Sequence, residues 1–319
     1  MAEQNRFALG IDLGGTSVKA GVVTHKGAII GRGEVATEAS KGVDTVIANM
    51  ARAAREAMAA AGVTVEQIEG VGFGAPGICD GPRGVVVDAV NIGWKNVPAA
   101  ELLQKALGVP AFLNNDANCA ALGEQWCGAA MGSNHMLMFT IGTGVGGGLV
   151  LDGNIYQGFR GWGGEFGHMP AVENGPQCNC GRRGCLETVA SATAMAAVAK
   201  REIEAGRAPL LAQRAATGEK VDARLVITAA KDGDGPARAI LAEVGRHLGQ
   251  AIAQLVSALN PELVVVGGGG AYAGDFLLEP AREVVRTKAM PGPADVCKII
   301  PAELGNDAGL IGAASLVWR

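Results

Sequence analysis

Three cysteines and a histidine stand close together in one stretch of this chain: His168, Cys178, Cys180 and Cys185. Thiolates and imidazole are the ligands that tetrahedral Zn2+ prefers. Gly181 and Gly184 let such a loop close tightly round an ion. A disulfide would strand one thiol and the histidine, so zinc is the better reading. Four protein ligands close the coordination shell, so the metal is expected to be structural rather than catalytic. The chain has seven cysteines, the other four being Cys79, Cys119, Cys127 and Cys297. An odd count in a long chain, with three of them clustered, fits metal binding in a reducing compartment better than a disulfide framework.

A second chemistry lies in the glycines. Three glycine-rich turns follow apolar stretches, at Asp12–Thr16, Gly142–Gly148 and Gly267–Gly270. Successive backbone N–H groups in a turn without side chains can cradle phosphate oxygens. The first turn also carries Asp12, with Lys19 nearby, and together the three point to phosphate binding. No GxxxxGK[ST] motif occurs. Gly142, Gly144 and Gly147 match GxGxxG, but a strand-like stretch follows, where the dinucleotide fingerprint must open a helix.

The third candidate is Asn114-Asn115-Asp116, at a junction between a strand and a helix. Asp116 is placed to cap the helix over 117–127, or to serve as a carboxylate general base, or both. Glu165 and Glu187 flank the cysteine cluster. They are either solvated acids, with Glu187 favoured by a helix dipole, or side chains that the metal loop holds near one point.

The elements that position these residues alternate. Strands are expected near 6–12, 17–24, 28–36, 68–75, 85–90, 110–113, 135–141, 146–151, 262–266 and 297–300. Helices are expected near 43–61, 98–107, 117–127, 187–204, 222–232, 236–258, 275–288 and 307–317. This alternation is that of an α/β protein. Strand, glycine turn and strand occur at Gly10–Thr16 and again at Ile141–Gly144, a weak internal echo.

Composition sets the bounds. The chain has 319 residues, 49% of them hydrophobic and 18% charged, enough to bury a core in about two domains. Aromatics are 4%, so the core must be mostly Ala, Val, Leu and Ile. Glycine numbers 49, about twice the usual share. The net charge of −4 argues against nucleic acid or an anionic membrane as partner. The stretch 125–151 has no charged side chain, but its glycine-rich half reads as two strands round a turn rather than a bilayer helix. The first residues have no apolar run of the signal-peptide kind, so the chain is expected to be cytoplasmic.

Taken together, the motifs DLGGT (12–16), IGTGVGGG, GGEFGH (163–168), CxCGxxGCxE (178–187) and VVVGGGG (264–270) resemble the ROK family of sugar kinases. Within it they are most similar to the bacterial glucokinases. The resemblance runs from Ile11 to about Leu316, and the cysteine segment after ExGH is its most specific part. It implies the actin-like ATPase (ribonuclease H-like) fold, an α/β architecture of two lobes around a deep cleft. A small lobe of 1–117 plus 303–319 and a large lobe of 118–302 follow from it.

It also implies residue roles. Asp116 matches the catalytic aspartate, which takes the proton of the sugar 6-hydroxyl. Asn115, Glu165, His168 and Glu187 match the residues that bond the other hydroxyls, and Gly77 matches more weakly. His168 would serve zinc with one ring nitrogen and sugar with the other. ATP would sit across the turns with Mg2+ positioned by Asp12, beside Lys19. Gly14, Gly15, Thr16, Thr143 and Gly144 would hold the phosphates, and Gly268 and Gly269 would lie near the adenosine. Lobe closure would keep water from the phosphate. A homodimer or homotetramer is expected.

The motifs separate glucose poorly from N-acetylmannosamine, N-acetylglucosamine, mannose or fructose. A polyphosphate donor is disfavoured by the full metal motif. A DNA-binding regulator of the same family carries an N-terminal helix-turn-helix, for which the nine residues before Gly10 are too few.

Overall fold

The computed structural model describes residues 6–319. Its elements run in the order β1 (Phe7–Leu13), β2 (Ser17–Val23), β3 (Ile29–Ala36), α1 (Val43–Ala61), β4 (Ile68–Ala75), β5 (Ile78–Asp80), β6 (Val85–Ala89), β7 (Trp94–Val97), α2 (Ala99–Leu107), β8 (Ala111–Asn115) and α3 (Asp116–Cys127). The chain continues through β9 (Met136–Ile141), β10 (Val145–Leu151), β11 (Asn154–Ile155), α4 (Glu187–Ala190), α5 (Ala192–Glu204), α6 (Pro209–Ala216), α7 (Ala223–Lys231) and α8 (Gly235–Leu259). It closes with β12 (Leu263–Gly267), α9 (Asp275–Lys288), α10 (Pro291–Val296), β13 (Lys298–Pro301) and α11 (Ala308–Ser315).

Two five-stranded sheets share one plan. The first has the order β3-β2-β1-β4-β8 and the second β11-β10-β9-β12-β13. In the first, β1 pairs antiparallel with β2 and β2 with β3, whereas β4 joins β1, and β8 joins β4, in parallel. In the second, β12 pairs in parallel with both β9 and β13, and β10 turns back antiparallel into β11. The echo seen at Gly10–Thr16 and Ile141–Gly144 is therefore the visible end of a repeated topology. A smaller sheet, β5-β6-β7, is inserted after β4.

The chain divides into two compact units. One comprises the described residues through Gly132, Gly148–Gly164 and Leu304–Arg319; the other is Ser133–Gly147 and Glu165–Glu303. This differs from lobes divided at 117/118 and 302/303. The reason is packing: α3 lies along α11, and the turn after β10 is tied to the same unit. Gln125 Nε2 donates to the Gly153 carbonyl at 2.9 Å, and Arg319 reaches that oxygen at 3.5 Å.

Small residues build the first unit's core. Helix α1 buries Val46, Ile47, Met50, Ala53, Ala54 and Ala57 on one face, the spacing an amphipathic helix requires. It stops at Gly62, whose φ of 66° is the left-handed C-cap. Helix α11 covers the sheet near β1 and β4 so closely that a Cβ at Gly10 would strike the Leu310 carbonyl, and one at Gly72 the Ala313 carbonyl. Such backbone contact explains how 4% aromatics suffice. The second unit buries Met136–Phe139 of β9 and Val264–Val266 of β12. Both are near-continuous apolar runs, as strands covered on two faces require. Among the described residues no helix is long and apolar enough to cross a membrane.

Candidate functional site

The metal ligands come together in the second unit. His168 ends the short 3-10 turn Phe166–His168. The cysteines lie on a miniature hairpin whose bridges are Gln177 to Arg183 and Pro170 to Cys185. The Cys178 N–H donates to the Arg182 carbonyl at 2.8 Å, which folds the loop back on itself. The imidazole and the three sulfurs then offer ligand atoms that all lie within 4.8 Å of one another. Cys178 Sγ is 3.6 Å from His168 Nδ1, and Cys180 Sγ is 3.6 Å from Cys185 Sγ. A tetrahedron with metal–sulfur bonds of about 2.3 Å has edges of about 3.8 Å, so Zn2+ fits this set. Cys178 and Cys185 are buried while Cys180 is exposed. The Arg182 backbone N–H, aided by its side chain, pulls the Cys180 thiol down to about 6, into thiolate range at neutral pH. Burial pushes Cys178 up.

The nitrogen of His168 that does not face the sulfurs points elsewhere. Nε2 lies 3.9 Å from Glu165 Oε2. Partial burial raises the Glu165 carboxyl above its usual range; His168 opposes this and the nearby Glu187 adds to it. Glu187 opens α4. Its Oε1 is 3.7 Å from Cys178 Sγ, and its Oε2 accepts the Val145 N–H at 3.2 Å. Glu165, His168 and Glu187 are thus neighbours, with Glu165 exposed and Glu187 in the first turn of α4.

In the first unit, Asp12 sits on β1 directly opposite Lys19 of β2. Burial pushes its carboxyl up and Lys19 works against that shift. Gly15 and Thr16 are exposed at the tip of the turn between these strands. Asp116 does not cap α3. Asn115 does, its Oδ1 accepting from Ala117 N–H at 2.9 Å and Asn118 N–H at 3.3 Å. The capping residue is one earlier than expected because β8 runs to Asn115 and hands directly into the helix. Asp116 is left as the first helical residue, exposed, with one oxygen on its neighbour's N–H (Ala117, 2.8 Å). The Asn115 Nδ2 donates to the Gly77 carbonyl at 3.0 Å, which ties the Ala75-Pro76-Gly77 turn to this junction. Gly77 has a φ of 83°.

Thr143 is exposed at the corresponding turn of the second unit, and Gly268 and Gly269 are exposed at the end of β12. Two residues that motif reading missed hold the first two turns. Thr37 Oγ1 donates to the Gly14 carbonyl at 2.6 Å, and Thr193 Oγ1 to the Thr143 carbonyl at 2.7 Å. The helix expected over 187–204 is in fact two, broken at Ser191. Its extended ψ of 166° ends α4, and its hydroxyl caps α5 at the Ala194 N–H. The Ser-Ala-Thr run was the available signal, since serine favours N-caps over helix interiors.

The match to known families covers the same span as the motifs. The pattern of the ROK family matches residues 8–319. The chain belongs to the ROK family, and its α/β fold is the actin-like ATPase fold of that family. A glucokinase of Halalkalibacterium halodurans is 40% identical over 314 residues, 98% of this chain and 95% of that protein. A ROK glucokinase from Streptomyces griseus, solved in complex with glucose and AMPPNP, superposes with a TM-score of 0.84 at 34% identity, covering 97% of this chain and 98% of that one. An N-acetylmannosamine kinase of Yersinia pseudotuberculosis is 31% identical, covering 96% of each chain.

Proposed function

We propose that this chain is an ATP-dependent hexose kinase that transfers the γ-phosphoryl group to the 6-hydroxyl of glucose. The observation that carries the reading is Asp116, an exposed carboxylate at the junction where β8 hands into α3, beside Asn115 and the Gly77 turn. The likeness to a glucokinase solved with glucose and AMPPNP supports the two substrates.

Asp116 accepts the 6-hydroxyl proton as that oxygen attacks the γ-phosphorus and the bond to ADP breaks. It then releases the proton to solvent. A positioned base of this kind contributes about 10²–10⁴-fold. Phosphoryl transfer otherwise needs placement and neutralised charge more than covalent chemistry. The turns Gly14–Thr16 and Thr143–Gly144 hold phosphate oxygens through backbone N–H groups, and Gly268 and Gly269 lie along the adenosine. Asp12 fits a role in positioning Mg2+, because burial makes its negative charge costly unless a cation joins it. Mg2+ supplies neutralisation of the phosphate charge when bound.

Asn115, Glu165, His168 and Glu187 read the remaining hydroxyls. A site built to bond hydroxyls discriminates strongly against sugars that lack them. His168, Cys178, Cys180 and Cys185 would hold Zn2+, which would order the sugar loop without joining the reaction, while His168 Nε2, turned away from the sulfurs, is left for sugar.

The test is a panel of glucose, mannose, fructose, N-acetylglucosamine and N-acetylmannosamine, each with ATP and with polyphosphate. The highest kcat/KM is expected for glucose with ATP. N-acetylmannosamine turned over far better than glucose would overturn the sugar assignment. Sugar binding with no turnover in any pair would point to a regulator instead.

A further inference from the structure

The metal set and the phosphate turn of the second unit are joined by one short segment. Glu187 stands two residues after the ligand Cys185. One of its oxygens approaches Cys178 Sγ, and the other holds the N–H of Val145, the first residue beyond Gly142–Gly144. A Cβ at Gly144 would fall on that carboxylate, so turn and carboxylate fit together only because position 144 is bare. The next residues continue the tie. Thr188 donates to the Cys185 carbonyl through both N–H (2.9 Å) and Oγ1 (2.7 Å). Ala192 N–H donates to the Gly142 carbonyl at 2.9 Å, and Thr193 Oγ1 to the Thr143 carbonyl. Residues 187–193 therefore grip the turn at Gly142, Thr143 and Val145 while their other end is bonded into the cysteine loop.

We propose that this segment couples the metal set to the nucleotide, so that an ordered metal loop holds the phosphate turn in its binding shape. The inference rests on the kinase reading above, in which that turn receives ATP. Glu187 is here a positioning residue, acting on phosphate through the backbone of the turn, in addition to any hydroxyl it bonds. Thermodynamic linkage makes the effect reciprocal: nucleotide must raise metal affinity by the factor by which metal raises nucleotide affinity.

The experiment leaves sugar out. Binding of Mg-AMPPNP is measured by calorimetry on zinc-loaded protein and on protein stripped by a chelator. Zinc affinity is measured by partition against a chromogenic chelator, with and without Mg-AMPPNP. Stripping should weaken nucleotide binding at least about five-fold, the low end of ordinary coupling, and nucleotide should raise zinc affinity by the same factor. In Glu187→Ala the factor should fall toward one. Thr193→Val, which touches no metal ligand, should shrink it while leaving zinc affinity without nucleotide unchanged. Equal zinc affinity with and without bound nucleotide would overturn the coupling, and this arm needs no metal-free protein to fold. Loaded protein that binds no nucleotide at all would overturn the kinase reading and the coupling with it.

Discussion

The two glycine turns proposed to hold phosphate have the same fold around them and different supports. Each joins the first two strands of a sheet with one shared strand order, and each has a carbonyl held by a threonine hydroxyl. At Gly14–Thr16 the support comes from the same sheet. Thr37, just past β3 and fully buried, bonds the Gly14 carbonyl through its hydroxyl and the Thr16 carbonyl through its N–H. At Gly142–Gly144 the support comes from a separate segment, residues 187–193, partly buried with only Thr193 exposed, and bonded at its other end to the cysteine loop. One turn is fixed by the core; the other is fixed only as well as its loop is. The carboxylates divide likewise. Asp12 and Asp116 project from the first unit's own strand and helix, whereas Glu165 and Glu187 stand beside the cysteine–histidine set.

The largest effect that tests this division is on the rate. Asp116→Asn should fold as the parent does, bind glucose, and lose kcat by about 10²–10⁴-fold with KM little changed. Activity within a few-fold of the parent would remove the first unit's chemical role. Next comes the metal. Cys180→Ser should reduce bound zinc from about one equivalent to near none. With a destabilisation of about 2 kcal/mol, Tm should fall by about 3 °C. Purified parent protein that holds no metal yet keeps full activity would show that the second unit's loop needs no ion.

The smallest effects separate the two supports. Thr37→Val leaves the Gly14 carbonyl without its hydroxyl in the core, so it should cost about 1–2 kcal/mol of stability and also weaken ATP binding. Thr193→Val, at an exposed bond, should cost under about 0.5 kcal/mol and yet raise KM for ATP. Equal Tm losses in urea-free thermal melts would show that the two turns are supported alike.

Much of this arrangement was legible in residue types. The cysteine–histidine set is local in sequence and its ligand chemistry is selective, so spacing sufficed to find it. Helices α1 and α9 lie over the residues that periodicity marks, 43–61 and 275–288, because long amphipathic stripes leave little ambiguity. Short elements escaped. Strand β5 has three residues and β7 four, too few to show a period, and α6 begins at Pro209 in a stretch rich in polar residues and alanine. The shift of the cap from Asp116 to Asn115 turned on where β8 ends, and two residues at the end of a strand are beyond pattern reading. Thr37 and Thr193 were invisible because their partners are carbonyls distant in sequence, 23 and 50 residues away.

The close contact of α11 with Gly10 and Gly72 also has a bearing on synthesis. Strands β1 and β4 are complete by Ala75, but the helix that covers them begins only at Ala308. Elongation at about 5–20 residues per second leaves that sheet face bare for on the order of 10–50 s on the ribosome. The second unit's strands and long helices emerge meanwhile, ahead of the cover for the first. A chain interrupted after Pro301 would carry all of β9 to β13 and an open apolar sheet where β1 and β4 wait for their helix, a state for a chaperone to hold or a protease to remove.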